Sequence, residues 1–328
     1  MTHDRVPDIR RRRLALAAAL LASPLLARAQ GAGATTKVLV GFAPGGSVDA
    51  LARLVADALQ AGLGRTAIVE NRAGAAGRIA VDAVKAAAPD GQMLLVAPQG
   101  PMTLFPHVFR NLRYDPARDF VPVTRVASGD FALTIGPLVP ARDFAGFRSW
   151  LASAGDKAAY GSPGAGTLPH FVGVAVARQI GVPMTHVPYK GSALSMNDLA
   201  GGSIAAVVSP VTEALELHKA GRVTIIATTG GQRSGFVDGV PTLKELGLDL
   251  EVPLWFGVYA PAGTPPAVVD GIRQAIHAAL ATPAARERIG RLGLVPSPSS
   301  TAELVALQQR ERDMWAPVVK ASGFTPAD

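Results

Sequence analysis

A layered α/β fold with room for two domains is predicted by three observations. Short apolar runs alternate with amphipathic helical segments along nearly the whole chain, several helices are closed by glycine, and roughly 300 residues remain beyond a leader-like N-terminus. Strands are expected at Lys37–Phe42, Ala67–Val69, Leu94–Ala97, Phe131–Ile135, Lys157–Tyr160, His186–Pro188, Ile204–Val208, Thr224–Thr228 and Trp255–Ala260. Helices are expected at Val48–Ala61, Ile79–Ala87, Leu168–Ile180, Ala193–Leu199, Val211–Ala220, Ala267–Ala281 and Ala302–Ser322, with Gly62, Gly181 and Gly221 as stops. No strict repeat or low-complexity tract follows residue 34.

Residues 1–29 read as a signal peptide. Arg10 to Arg13 form a basic start, Leu14 to Leu26 is apolar but shorter than the about 20 residues needed to span a bilayer, and Ala27-Arg28-Ala29 is a small-x-small cleavage pattern. An ordinary N-terminal helix would leave the four arginines unexplained. Sec and twin-arginine export are both compatible, and either leads to the periplasm. Cleavage after Ala29 removes six basic and two acidic residues and brings the net charge of +7 to about +3. What remains has no basic tract interleaved with aromatics, so nucleic acid is not an expected partner. The absence of cysteine excludes disulfides, thiolate metal sites and thiol catalysis.

Two corners carry the functional signal. KVLVGFAPGGSVDALARL, Lys37 to Leu54, runs from a strand through Pro-Gly-Gly into a helix, and YGSPGAGTLPHFVGVAVARQIG, Tyr160 to Gly181, does the same. Glycine permits close backbone approach, and a new helix offers unpaired N–H groups and the positive end of its dipole. Such corners attract carboxylate or phosphate at the carboxyl edge of a sheet. A carboxylate between them could be held by backbone N–H groups and hydroxyls, each bond to a charged group contributing about 1.5–3 kcal/mol. No arginine is required. HVPYKG, His186 to Gly191, forms a third corner. The candidate ligand-binding set is Phe42, Pro44, Gly45, Gly46, Ser47, Gln99, Ser162, Gly164, Gly166, Thr167, Tyr189, Lys190 and Ser209.

Enzyme motifs fail at defined positions. Gly41 to Gly46 has a Walker A spacing, but Ser47-Val48 stands where Lys-Ser/Thr is needed; GFAPGG is not GxGxxG, and no GxSxG elbow occurs. The histidines lack metal-ligand spacing. No catalytic residue, metal or cofactor is therefore expected.

Six stretches in order, VGFAPGGSVDALARLVADAL, IVENRAGAAGRIAVDAV, YGSPGAGTLPHFVG, MTHVPYKGSALSMNDLAGG, VPTLKELGL and WFGVYAPAGTPPAVV, resemble the Bug (Bordetella uptake gene) family. These are periplasmic solute-binding components of tripartite tricarboxylate transporters, and the resemblance spans about Lys37 to Ala316. It implies a two-lobed periplasmic binding protein of type II, a Venus flytrap, crossing between lobes near Val123–Asp130 and Leu250–Phe256. Residues 30–128 with 254–328 would form one lobe and 129–253 the other. The resemblance further implies a monomer that binds a small carboxylic acid and presents it to membrane components of a transporter. A rival of the same fold would instead signal to a sensor kinase.

Several residues have two readings. Ser47 is either a helix cap or a ligand contact, Lys190 a surface or cleft-rim lysine, and Asp49 a partner for Arg53 or for a ligand amine, the first being preferred. His170 and His186 read as structural, and Trp255 and Phe256 as hinge-adjacent core. Val48 replaces a hydroxyl residue expected by the resemblance, and Ser209-Pro210 offers no acid for an amine, which favours a plain carboxylic acid over an amino acid.

Overall fold

The computed structural model describes residues 35–325, so the expected signal peptide lies outside the described residues. Ten strands follow in this part of the chain: β1 (Thr36–Val40), β2 (Ala67–Asn71), β3 (Met93–Pro98), β4 (Phe120–Ile135), β5 (Ala159–Ser162), β6 (Thr185–Pro188), β7 (Ala206–Pro210), β8 (Thr224–Thr228), β9 (Pro253–Pro261) and β10 (Val295–Pro296). The helices are α1 (Ser47–Leu63), α2 (Arg78–Lys85), α3 (Gly100–Thr103), α4 (Phe105–Val108), α5 (Phe144–Leu151), α6 (Leu168–Ile180), α7 (Ser192–Ala200), α8 (Val211–Lys219), α9 (Pro266–Leu280), α10 (Pro283–Gly290) and α11 (Thr301–Ala321).

The strands form two sheets joined by β4, the two-lobed α/β arrangement that the sequence predicts. One sheet runs β2-β1-β3-β9-β4-β10, parallel in its first three strands and antiparallel around β9. The other runs β6-β5-β7-β4-β8, again parallel on one side and antiparallel around β4. Phe120 to Asp130 of β4 pairs with β9, and Phe131 to Ile135 pairs with β7 and β8. The chain returns through Val252, whose N–H donates to the Thr229 carbonyl.

Strand β4 is much longer than the expected Phe131–Ile135. Its first half contains Pro122 and Gly129 and no apolar alternation, so local pattern hides it; pairing with β9, distant in sequence, supplies its hydrogen bonds. Register slips at Pro122/Thr124 and Arg125/Ala127 accommodate the proline that cannot donate. The short helices α3, α4, α5 and α10 escape a periodicity argument altogether. Caps marked two of them: Asp143 accepts from the Gly146 N–H and Thr282 from that of Ala285.

One apolar cluster runs through both sheets. Leu51, Val55 and Leu59 of α1 pack on Val38 and Val40 of β1 and against Ile272 and Ile276 of α9, and the cluster continues along β4 through Val126 to Leu133 and into Phe171 and Val172 of α6. Each such side chain contributes about 1.5–3 kcal/mol when fully buried. Closeness has sequence requirements. Gly173 in α6 lies against the Tyr160 ring, whose hydroxyl donates to the His170 carbonyl at 2.8 Å, and a Cβ there would enter the ring. Gly173→Ala should therefore cost about 1–3 kcal/mol of unfolding free energy in urea titration, against the about 1 kcal/mol that alanine gains in an unconstrained helix.

Candidate functional site

At the first corner Gly45 has φ +94°, and no atom lies within 4 Å of a Cβ built on Gly45 or Gly46. Gly46, not Ser47, takes the cap position of α1, and no side chain caps the helix. Its first-turn N–H groups therefore lack a side-chain acceptor. Ser47, at the start of that turn, is buried.

Asp49 holds this corner from behind. Its carboxylate accepts from the Gly45 N–H at 3.1 Å, from Arg53 Nε at 3.0 Å and from Asn71 Nδ2 at 2.9 Å, and Asn71 also donates to the Phe42 carbonyl. Burial opposes the charge, but the bonds from Asn71, Arg53 and Gly45 outweigh it and hold the carboxyl below its usual range. The pairing with Arg53 is the structural reading of Asp49.

The second corner is built more densely. Thr167 takes the cap position of α6, yet its hydroxyl donates to the Gly164 carbonyl at 2.7 Å instead of capping. Ser162 is fully buried, bonded to the Gly164 carbonyl at 3.0 Å and to His186 Nε2 at 2.7 Å. His170 Nδ1 accepts the Gly166 N–H, and the rings of His170 and His186 stack 3.8 Å apart. Ser162 and Thr167 thus shape the turn, and what α6 leaves open is backbone N–H.

Gly166, at φ +72°, brings this corner to the other sheet: a Cβ there would meet Val108 and the Phe109 ring at 3.5–3.7 Å. The Gly74–Gly77 loop after β2 lies beside the first corner, with Gly77 packed on Gly41 and on the Phe42 ring. The loop lies within the IVENRAGAAGRIAVDAV stretch that carries the family resemblance, but neither it nor Phe109 is among the candidate site residues.

The third corner is tied to the second by the Tyr189 N–H on the Ser162 carbonyl and the Gly191 N–H on that of Pro163. Tyr189 differs from expectation: its ring packs under Gly161 and its hydroxyl donates to Asp198 at 2.8 Å, burial and that carboxylate pushing it up to about 12. Lys190 is exposed. Gln99 and Ser209 are also placed differently. Gln99 is buried, with Nε2 on the Pro253 carbonyl at 2.5 Å and Oε1 on the Trp255 N–H at 3.0 Å, so it staples β3 to β9. Ser209 falls inside β7, which runs two residues past its expected limit, and is fully buried opposite Ala132 with its hydroxyl toward Met196 and Pro210.

The model of the tripartite tricarboxylate transporter family receptor matches residues 51–324. The chain belongs to this family. It is 30% identical to BugT of Bordetella pertussis over 292 residues, covering 88% of this chain and 89% of that protein. Among solved structures, Rpa4515 of R. palustris with adipate is 29% identical at a TM-score of 0.84, covering 89% of this chain and 98% of the other. MatC from Rhodopseudomonas palustris with bound malate is 31% identical at a TM-score of 0.80, covering 87% and 98%.

In this family member the histidine pair gives a measurable signature. Burial lowers both rings from 6.5 to about 4, with His170 adding to the effect on His186. An unfolded chain takes up these protons as pH falls below 6.5 while the native state refuses them until about 4, so their contribution to stability declines across that window. Asp130 and Glu311, raised by burial to about 6 and about 7, act in the opposite sense because the native state protonates first. NMR titration should place both imidazole transitions near pH 4, and the double His→Gln variant should lose the corresponding part of the acid destabilisation.

Proposed function

We propose that this protein is a periplasmic receptor that captures a small carboxylic acid between the two glycine-rich corners and delivers it to the membrane components of a tripartite transporter. The observation that carries the reading is a pair of helix N-termini without side-chain caps, one after β1 of the first sheet and one after β5 of the second, with Gly166 of the second corner close to Val108 and Phe109 from the half of the chain that holds the first. Two such termini attract one anion. Adipate in one family structure and malate in another support the ligand class.

The lobes are residues 30–128 with 254–328 and residues 129–253, hinged where β4 changes partners after Asp130 and where Val252 leads into β9. Closure of the hinge would bring the corners onto the ligand. Ligand contacts are assigned to the backbone around Phe42, Pro44, Gly45 and Gly46, to Ser47, and to the backbone of Gly164, Gly166 and Thr167. Ser162, Gln99, Tyr189 and Ser209 support the site rather than touch the ligand, and Lys190 lies on its rim. The hydroxyl–imidazole pair at the site, Ser162 with His186, has its serine fully buried and bonded to the Gly164 carbonyl, so it is not presented as a nucleophile and no turnover is expected. The rival reading, a sensor-kinase partner, has no separate observation in its favour.

A thermal-shift series of carboxylic acids tests the reading, since a ligand at 100 times its Kd adds about 2.7 kcal/mol of stability. Gly166→Val should abolish the shift, because φ +72° disfavours a branched residue and its side chain would meet Val108. Lys190→Ala should weaken binding only modestly. Well-folded Gly166→Val that still bound, beside an inactive Lys190→Ala, would move the anion onto a side-chain charge. Export predicts a periplasmic form beginning at Gln30 by intact-mass measurement; full-length protein confined to the cytoplasm would contradict it.

A further inference from the structure

We infer that Arg78 reads the far end of the ligand and discriminates in favour of molecules carrying a second anionic group; the inference rests on the carboxylate-receptor reading. Arg78 opens α2, immediately after the loop that packs on the first corner through Gly77. Its guanidinium carbon lies 3.8 Å from the centre of the Phe109 ring, and that same ring is the surface Gly166 of the second corner meets at 3.7 Å. One aromatic ring thus lies against both the cation and the second corner, while Gly77, the residue before Arg78, packs on Phe42 of the first corner. Arg78 is half-buried.

The guanidinium is fixed but makes no ion pair within 4 Å among the described residues. Its Nε donates to the Ala75 carbonyl at 3.1 Å and its face is on Phe109, which leaves its two terminal nitrogens with no hydrogen bond among the described residues. Asp82, one turn along α2, has a buried carboxylate oxygen without a hydrogen-bond partner and makes no ion pair with Arg78 among the described residues, and Asp49 is already engaged by Arg53 and Asn71. A planar fork of donors held by stacking suits a carboxylate taken two bonds at a time.

The loop that presents Arg78 is strained. Gly74, Ala75, Ala76 and Gly77 have φ of 132°, 47°, 55° and 94°, a left-handed region that the two alanines disfavour. Such strain persists where the surroundings impose it. Here the Arg78–Ala75 bond and the packing of Gly77 on Phe42 do so.

Calorimetry with acids of equal length separates the two ends of the ligand: succinate against butyrate, and adipate against hexanoate. The wild type should prefer the diacid of at least one pair by tenfold or more, and Arg78→Gln should bring that ratio close to one. Arg78→Lys, which keeps charge but not the fork, should give an intermediate ratio, and serves equally if Arg78→Gln does not fold by circular dichroism. A diacid preference that survives in well-folded Arg78→Gln, or no preference in the wild type, overturns the assignment of Arg78 while leaving a carboxylate receptor. Binding of none of the four acids, nor of any other in the thermal-shift series, overturns the receptor reading and the inference with it.

Discussion

The geometry of this protein depends on one strand belonging to two sheets. Because β4 hydrogen-bonds with β9 up to Asp130 and with β7 and β8 from Phe131, the two sheets cannot separate without breaking a continuous backbone ladder. They can still bend about the point where partners change. Nearby, Gln99 uses a side-chain amide to imitate a strand edge against Pro253 and Trp255, binding β9 firmly to the first sheet. Stiffness on either side of a short pivot holds Gly166, beyond the change of partners, against Val108 and Phe109, which precede it in the chain.

A helix start can offer its backbone N–H groups to an anion only where nothing else caps it, and two starts here have no side-chain cap. The fold achieves this by giving polar side chains other partners. Asp49 bonds backward to Gly45 and to Arg53 and Asn71, Thr167 donates into its own turn, and Ser162 is held between Gly164 and His186. A free carboxylate at either helix start would repel an incoming anion and satisfy the same N–H groups itself. Stacked neutral histidines serve the second corner for a related reason: a ring that accepts the Gly166 N–H must be without a proton on Nδ1.

Glycine is used where contact demands it. Gly41 and Gly77 lie back to back, Gly173 makes room for Tyr160, and Gly45 and Gly166 take left-handed backbone at the corners. Ala75 and Ala76 adopt that backbone without being glycine, which marks the loop before Arg78 as a place where the surroundings override local preference.

By itself the sequence determined the alternation of strands and helices, both glycine-rich corners and the family, because these depend on local periodicity, on φ freedom and on short ordered motifs. It also determined that Asp49 and Arg53, four apart on a helix, could pair. Only the tertiary structure decided which polar residues remain available. Whether Gln99 faces a cleft or a strand edge, whether Ser209 ends a strand or lies within it, and whether the Tyr189 hydroxyl finds a ligand or Asp198 all turn on partners from elsewhere in the chain. The first half of β4 and the stacking of Arg78 on Phe109 were hidden for the same physical reason: pairing and packing across long sequence separation leave no local pattern.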